Sequence, residues 1–102
     1  MECILTGDML SAERAQQNGL INRLTEPGAA LDAAIELANA VAANGPLSLI
    51  ASKRVATESV DWTREEMFDR QAEITNPVFA SQDAREGASA FAEKRKPVWK
   101  GV

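Results

Sequence analysis

The 102-residue chain contains no histidine. That absence removes the commonest general base, the usual partner of a nucleophilic serine and the usual nitrogen ligand of zinc together. Catalysis resting on this chain alone would have to use carboxylates, lysines or its one thiol, Cys3. A single thiol cannot form an internal disulfide, which suits a reducing compartment, and a cytoplasmic location is expected. With apolar Ile4 and Leu5 beside it and no histidine to lower its pKa, Cys3 is read as a buried, unreactive thiol.

Aromatic residues are scarce: Trp62, Phe68, Phe79, Phe91 and Trp99 are all there are. The hydrophobic fraction is an ordinary 45%, but much of it is alanine, which contributes little buried area. A core built mainly from alanine is marginal in a chain this short. The helices are therefore expected to need a further surface to pack against. No apolar run approaches the roughly 20 residues that cross a bilayer, so no membrane span is expected. A charged segment followed by an apolar one is also missing at the N-terminus, so no signal peptide is evident. The net charge of −4 argues against a nucleic-acid partner, and the one basic cluster, Lys94-Arg95-Lys96, is short and lies beside acidic residues. No repeat, low-complexity tract or long linker divides the chain.

What is present is a succession of helix signals. Ser11 is placed to cap a short helix over 12–18, with Glu13 in its first turn and Gly19 just past its end. Residues 20–24 read as a short extended segment, and Glu26-Pro27-Gly28 as a turn. Leu31, Ala34, Ile35, Ala38 and Val41 form one face of an amphipathic helix that stops near Asn44-Gly45. Pro46 suits the first position of the next helix, whose face is Leu47, Ile50, Ala51 and Val55. Thr63 and Glu66 have the spacing of a capping box, and the helix after them is expected to end or kink near Asn76, before Pro77. A last helix over 82–95 starts acidic (Asp83, Glu86), carries an apolar stripe of Ala84, Gly87, Ala88 and Phe91, and ends in cations before Pro97. Trp99 in the tail reads as a packing anchor against another surface.

The carboxylates carry no acid/base signature. Glu13, Glu65, Glu66, Asp83 and Glu86 all fall at helix starts, where the positive end of the helix dipole favours them, and a structural role is expected for each. No catalytic residue and no metal ligand is assigned.

Three sets of residues resemble one family. Leu5-Thr6-Gly7, Ser11-Ala12-Glu13, Ala15 and Gly19-Leu20-Ile21-Asn22 come first. Gly45-Pro46-Leu47 and Ala51-Ser52-Lys53 follow, and Asp83-Ala84-Arg85-Glu86-Gly87 with Ala90-Phe91-Ala92-Glu93-Lys94-Arg95-Lys96-Pro97 closes the series. In this order the chain resembles the C-terminal part of the crotonase family, the enoyl-CoA hydratases and isomerases. Family members are much longer, and the resemblance implies that their strand–strand–helix core, oxyanion hole and catalytic carboxylates lie outside these residues. The implied fold class is mainly α: a bundle of about four to five helices with one short extended segment, like the family's trimerisation region. Residues 1–28 would close the core region and 29–102 would form the helical assembly region.

Further expectations follow from the resemblance alone. In the family's F-x-x-K pattern, Phe91 and Lys94 would contact coenzyme A, the ring meeting the adenine and the ammonium a phosphate; the residues by themselves read rather as a core phenylalanine and a lysine at the negative end of a helix. Arg95 and Lys96 could add to a phosphate-attracting field or simply be solvated, and no role is given to Lys53. The parent reaction would be hydration of a 2-enoyl-CoA in fatty-acid metabolism, with acyl-CoA as substrate and no separate cofactor. The implied partners are further copies of the chain, as a trimer or dimer of trimers, or a full-length relative. The alternative is a non-catalytic helical module for self-association or docking.

Overall fold

The computed structural model describes residues 2–102, and among them every regular element is helical. The helices are α1 (Glu2–Thr6), α2 (Ala12–Gln17), α3 (Ala30–Ala42), α4 (Pro46–Glu58), α5 (Met67–Ala80) and α6 (Gln82–Ala92), with a 3₁₀ turn at Ser59–Asp61 after α4. The chain divides into two compact units, Met1–Ala38 and Asn39–Val102.

In the first unit, helix ends are set by glycine. Ser11 caps α2 by accepting the Arg14 N–H on its Oγ at 3.2 Å. Gly19, at φ 72°, lets the Leu20 N–H turn back to the Ala15 carbonyl at 2.8 Å and close the helix. Ala15 is the unit's buried apolar residue. The short helix α1 has no counterpart in the sequence reading. Its Cys3 is half-buried rather than buried. Residues 20–24, expected to be extended, form bends and irregular backbone and pair with no strand among the described residues. Exposed Arg23 and Glu36 form an ion pair at 3.3 Å, a contact worth little in water.

The second unit begins with the last turn of α3, where the Asn44 side chain donates to the carbonyls of Ala40 (2.9 Å) and Val41 (3.1 Å). Pro46 opens α4 at its first position, as expected. α4 packs against α5, and α5 against α6. Thr63 accepts the Glu66 N–H on its hydroxyl at 3.3 Å, so the forecast cap is present one turn ahead of α5. Of the expected end or kink near Asn76, the end is corrected: α5 continues through Pro77 to Ala80. Pro77 has no N–H to give the Glu73 carbonyl, so the helix passes it with one bond missing. The last helix also stops short of the expected Arg95, at Ala92.

Among the described residues, the buried apolar ones are Ala15, Ala51 and Ala90. The large side chains remain outside, including Leu31 at 70%, Phe68 at 72% and Phe79 at 76% exposure. The α3 face that periodicity marks as apolar is thus present but uncovered. No single helix among the described residues is long and apolar enough to cross a membrane.

Candidate functional site at the end of α6

Ser81 joins α5 to α6. Its Oγ donates to the Val78 carbonyl at 2.6 Å and accepts the Ala84 N–H at 3.0 Å, closing one helix and capping the next. Two residues on, Asp83 is only 5% exposed. Its Oδ1 accepts the Lys100 N–H and its Oδ2 the Gly101 N–H, both at 2.8 Å, while its own N–H donates to the Val102 carbonyl at 3.1 Å. A buried carboxylate is stable when bonded in this way, and charge-assisted bonds of this kind are stronger than neutral ones. The tail is therefore folded back along α6.

Trp99 fixes the middle of that tail. Its indole N–H donates to the Ala43 carbonyl at 2.9 Å, and its ring lies against the glycine backbones at 45 and 87. The anchor expected from sequence is real, but its surface belongs to the same chain.

At the other end of α6, the backbone closes as a Schellman turn. The Lys94 N–H reaches the Phe91 carbonyl at 3.3 Å and the Arg95 N–H the Ala90 carbonyl at 3.0 Å. The residue that takes the left-handed conformation is Lys94, at φ 54°. Glycine is the usual occupant, because a Cβ there crowds the backbone. Lys94 therefore leaves the helix axis instead of continuing the face of Phe91, because the helix expected over 82–95 has already ended at Ala92. Phe91 itself is 88% exposed, so it is not part of the core.

Glu86 holds the chain that follows. Its carboxylate accepts both terminal nitrogens of Arg95, the Nη2 bond being 3.0 Å, and the Val98 N–H at 2.8 Å. The hydrogen bonds from Arg95 and then from the Val98 N–H lower its pKa to about 2. Arg95 is raised above its ordinary value by Glu86 first and then by Glu93. Arg95 is therefore exposed, as a solvated charge would be, but paired with two carboxylates. Lys94 forms no ion pair among the described residues. A groove of about 590 Å³ runs beside this clamp, lined by Arg85, Glu86, Arg95 and Lys100 among others.

The other carboxylates behave as helix-end residues. Glu13 is lowered by its own backbone N–H and by Ser11, and Glu66 by the Thr63 hydroxyl and Arg70. Such shifts favour the ionised form and give no proton donor near neutral pH. Among the described residues no cluster of cysteine and carboxylate side chains is arranged to hold a metal ion. The tail-binding roles of Asp83 and Glu86 were not visible in sequence, because their acceptor geometry joins residues many positions apart.

Known proteins bear on this arrangement. A family model described as Enoyl-CoA hydratase/isomerase matches residues 1–102. Enoyl-CoA hydratase EchA19 of Mycobacterium tuberculosis is 43% identical over 96 residues, which are 94% of this chain and 36% of that protein. A carnitinyl-CoA dehydratase of Salmonella arizonae is 38% identical over 104 residues, covering 98% of this chain and 40% of that protein. Among solved structures, enoyl-CoA hydratase EchA1 of Mycobacterium marinum superposes with a TM-score of 0.97 at 58% identity, over 100% of this chain and 40% of that one. The chain thus spans about two fifths of the length of these relatives, and its regular elements among the described residues are all helical. By sequence and by fold, this chain belongs to the enoyl-CoA hydratase/isomerase family.

Proposed function

We propose that the chain acts as a C-terminal helical segment of an enoyl-CoA hydratase/isomerase enzyme, contributing part of the coenzyme A pocket and oligomer contacts. The observation that carries the pocket reading is an 88% exposed Phe91 close in sequence to Lys94, which lies just beyond the end of the same helix and has no ion-pair partner among the described residues. An exposed phenyl ring offers a face for a purine, and an ammonium answers a phosphate as a point charge. The parent reaction is addition of water to a 2-enoyl-CoA thioester. Its catalytic groups are not assigned to any residue of this chain.

The assembly reading is supported by α5. Phe68 and Phe79 are both largely exposed and lie eleven residues apart, close to three full turns, so they share one helix face. Exposed apolar faces of this kind mark association surfaces. They also favour the second reading, a non-catalytic module that self-associates or docks on a full-length relative.

Titration of the purified chain with coenzyme A, followed at the Phe91 ring and the Lys94 amide, tests the pocket. Wild-type protein is expected to shift at both, and F91A and K94A to bind more weakly. Equal affinity in all three defeats the pocket reading. Crotonyl-CoA hydration, followed at the thioester ultraviolet absorbance, separates the enzyme segment from the module. Turnover that arises only when the remainder of a family enzyme is supplied supports the first; none in either case supports the second.

A further inference from the structure

We propose that Glu86 is a positioning residue for the coenzyme A contact: by clamping Arg95 and the Val98 N–H it holds Lys94 in its left-handed conformation and so aims the ammonium. This inference rests on the pocket reading above and adds a residue that makes no contact with ligand.

The geometry runs through three links. First, Lys94 carries φ 54°, the left-handed position of the turn that closes α6, which a residue with a Cβ occupies at a cost. Second, the residues that follow it are both fastened to one carboxylate. Arg95, immediately after Lys94, meets both oxygens of Glu86, and the Val98 N–H meets Oε1. The turn over 94–98 is thereby closed across a side chain from the preceding helix. Third, that helix is itself fixed at this level, since Ala90, one turn beyond Glu86, is 1% exposed and accepts the Arg95 N–H on its carbonyl.

The charges divide the same way. Of the three consecutive cations at 94–96, Arg95 is consumed by Glu86 and Glu93, while Lys94 has no anionic partner among the described residues. The clamp therefore uses one cation to present another. A lysine on an unconstrained tail would sample many orientations and lose that freedom on binding, so holding its backbone in advance favours the contact.

The experiment compares wild type, E86A, E86Q and K94A as isotope-labelled full chains. Two quantities are read: the strong amide–Hα proximity signal of a positive φ at Lys94, and the affinity for coenzyme A. Exchange protection of the Ala90 and Phe91 amides reports whether α6 stays folded. E86A is expected to lose the positive-φ signal and bind coenzyme A severalfold more weakly, with α6 protection kept. E86Q, which retains an acceptor for Val98 but not the charge facing Arg95, is expected to fall between. If K94A weakens binding while E86A changes neither the signal nor the affinity, the positioning role is wrong and the pocket stands. If K94A binds as wild type does, the pocket reading fails and takes the positioning role with it.

Discussion

Trp99 lies across the backbone at Gly87: its Cη2 stands 3.1 Å from where a Cβ on that residue would be. The ring cannot easily withdraw, because its N–H is bonded to the Ala43 carbonyl and the adjoining Cε3–Cζ3 edge is against the backbone at 45. G87A should therefore destabilise the second unit, although alanine is the better helix former. Overpacking typically costs about 1–3 kcal/mol and the helix gain is about 1 kcal/mol, so a net loss of about 1 kcal/mol is expected. G45A is the control. Its added carbon would meet the indole at 3.5 Å, an ordinary contact, on a backbone with φ −60° that alanine accepts. Urea midpoints should fall for G87A and stay within about 0.5 kcal/mol of wild type for G45A.

Asp83 offers a sharper test of the strap. Each of its oxygens takes one backbone N–H of the tail, and an amide can replace only one of them. In D83N the NH₂ group would face a donor in a site that is 5% exposed. A loss of about 2 kcal/mol is expected, typical of a hydrogen bond to a charged group broken on one side. Hydrogen exchange should accelerate at the Lys100 and Gly101 amides before it does in α4. Unchanged protection at both would remove the carboxylate from its role.

The local parts of this fold were legible because their causes are local. Ser11 and Gly19 bracket α2, Pro46 opens α4 and Thr63 caps ahead of α5, all within a turn of the residue that signals them. Pro77 misled because the local rule counts only the lost N–H bond and the crowded ring, whereas α5 also packs against α4 and α6. Asp83 and Glu86 misled differently. The helix dipole was a sufficient reason for two acidic residues near a helix start, so nothing required partners 12 to 18 positions away. Phe91 shows the limit of periodicity. Spacing places it on a stripe with Ala84 and Gly87, but exposure, which separates core from contact residue, depends on what the chain folds against.

Lys94 separates stability from ligand contact. A side chain in the left-handed region costs about 1–2 kcal/mol relative to glycine, part of which the more flexible unfolded glycine gives back. K94G should thus raise the melting midpoint, equivalent to about 0.5–1 kcal/mol, whereas K94A should leave it near wild type. On the pocket reading both variants lose the ammonium and should bind coenzyme A equally poorly. A K94G chain that is no more stable than K94A would mean that the turn at the end of α6 is not strained.

Acid should release the tail before it unfolds α6. The pKa of Glu86 is lowered in the folded chain from an ordinary 4.5 to about 2, so the folded state binds its proton less readily than the unfolded state does. Stability from this carboxylate is therefore fully present above about pH 4.5 and is lost as the pH falls towards 2. Glu13 and Glu66 are shifted in the same direction and add to the same slope, so the overall loss of stability in acid is shared. The Val98 amide singles out Glu86, because it donates to that carboxylate directly. Its chemical shift and exchange rate should change across this window in wild type and stay nearly flat in E86Q, in which nothing at that position titrates. A Val98 response that survives in E86Q would assign the acid sensitivity of the tail to another group.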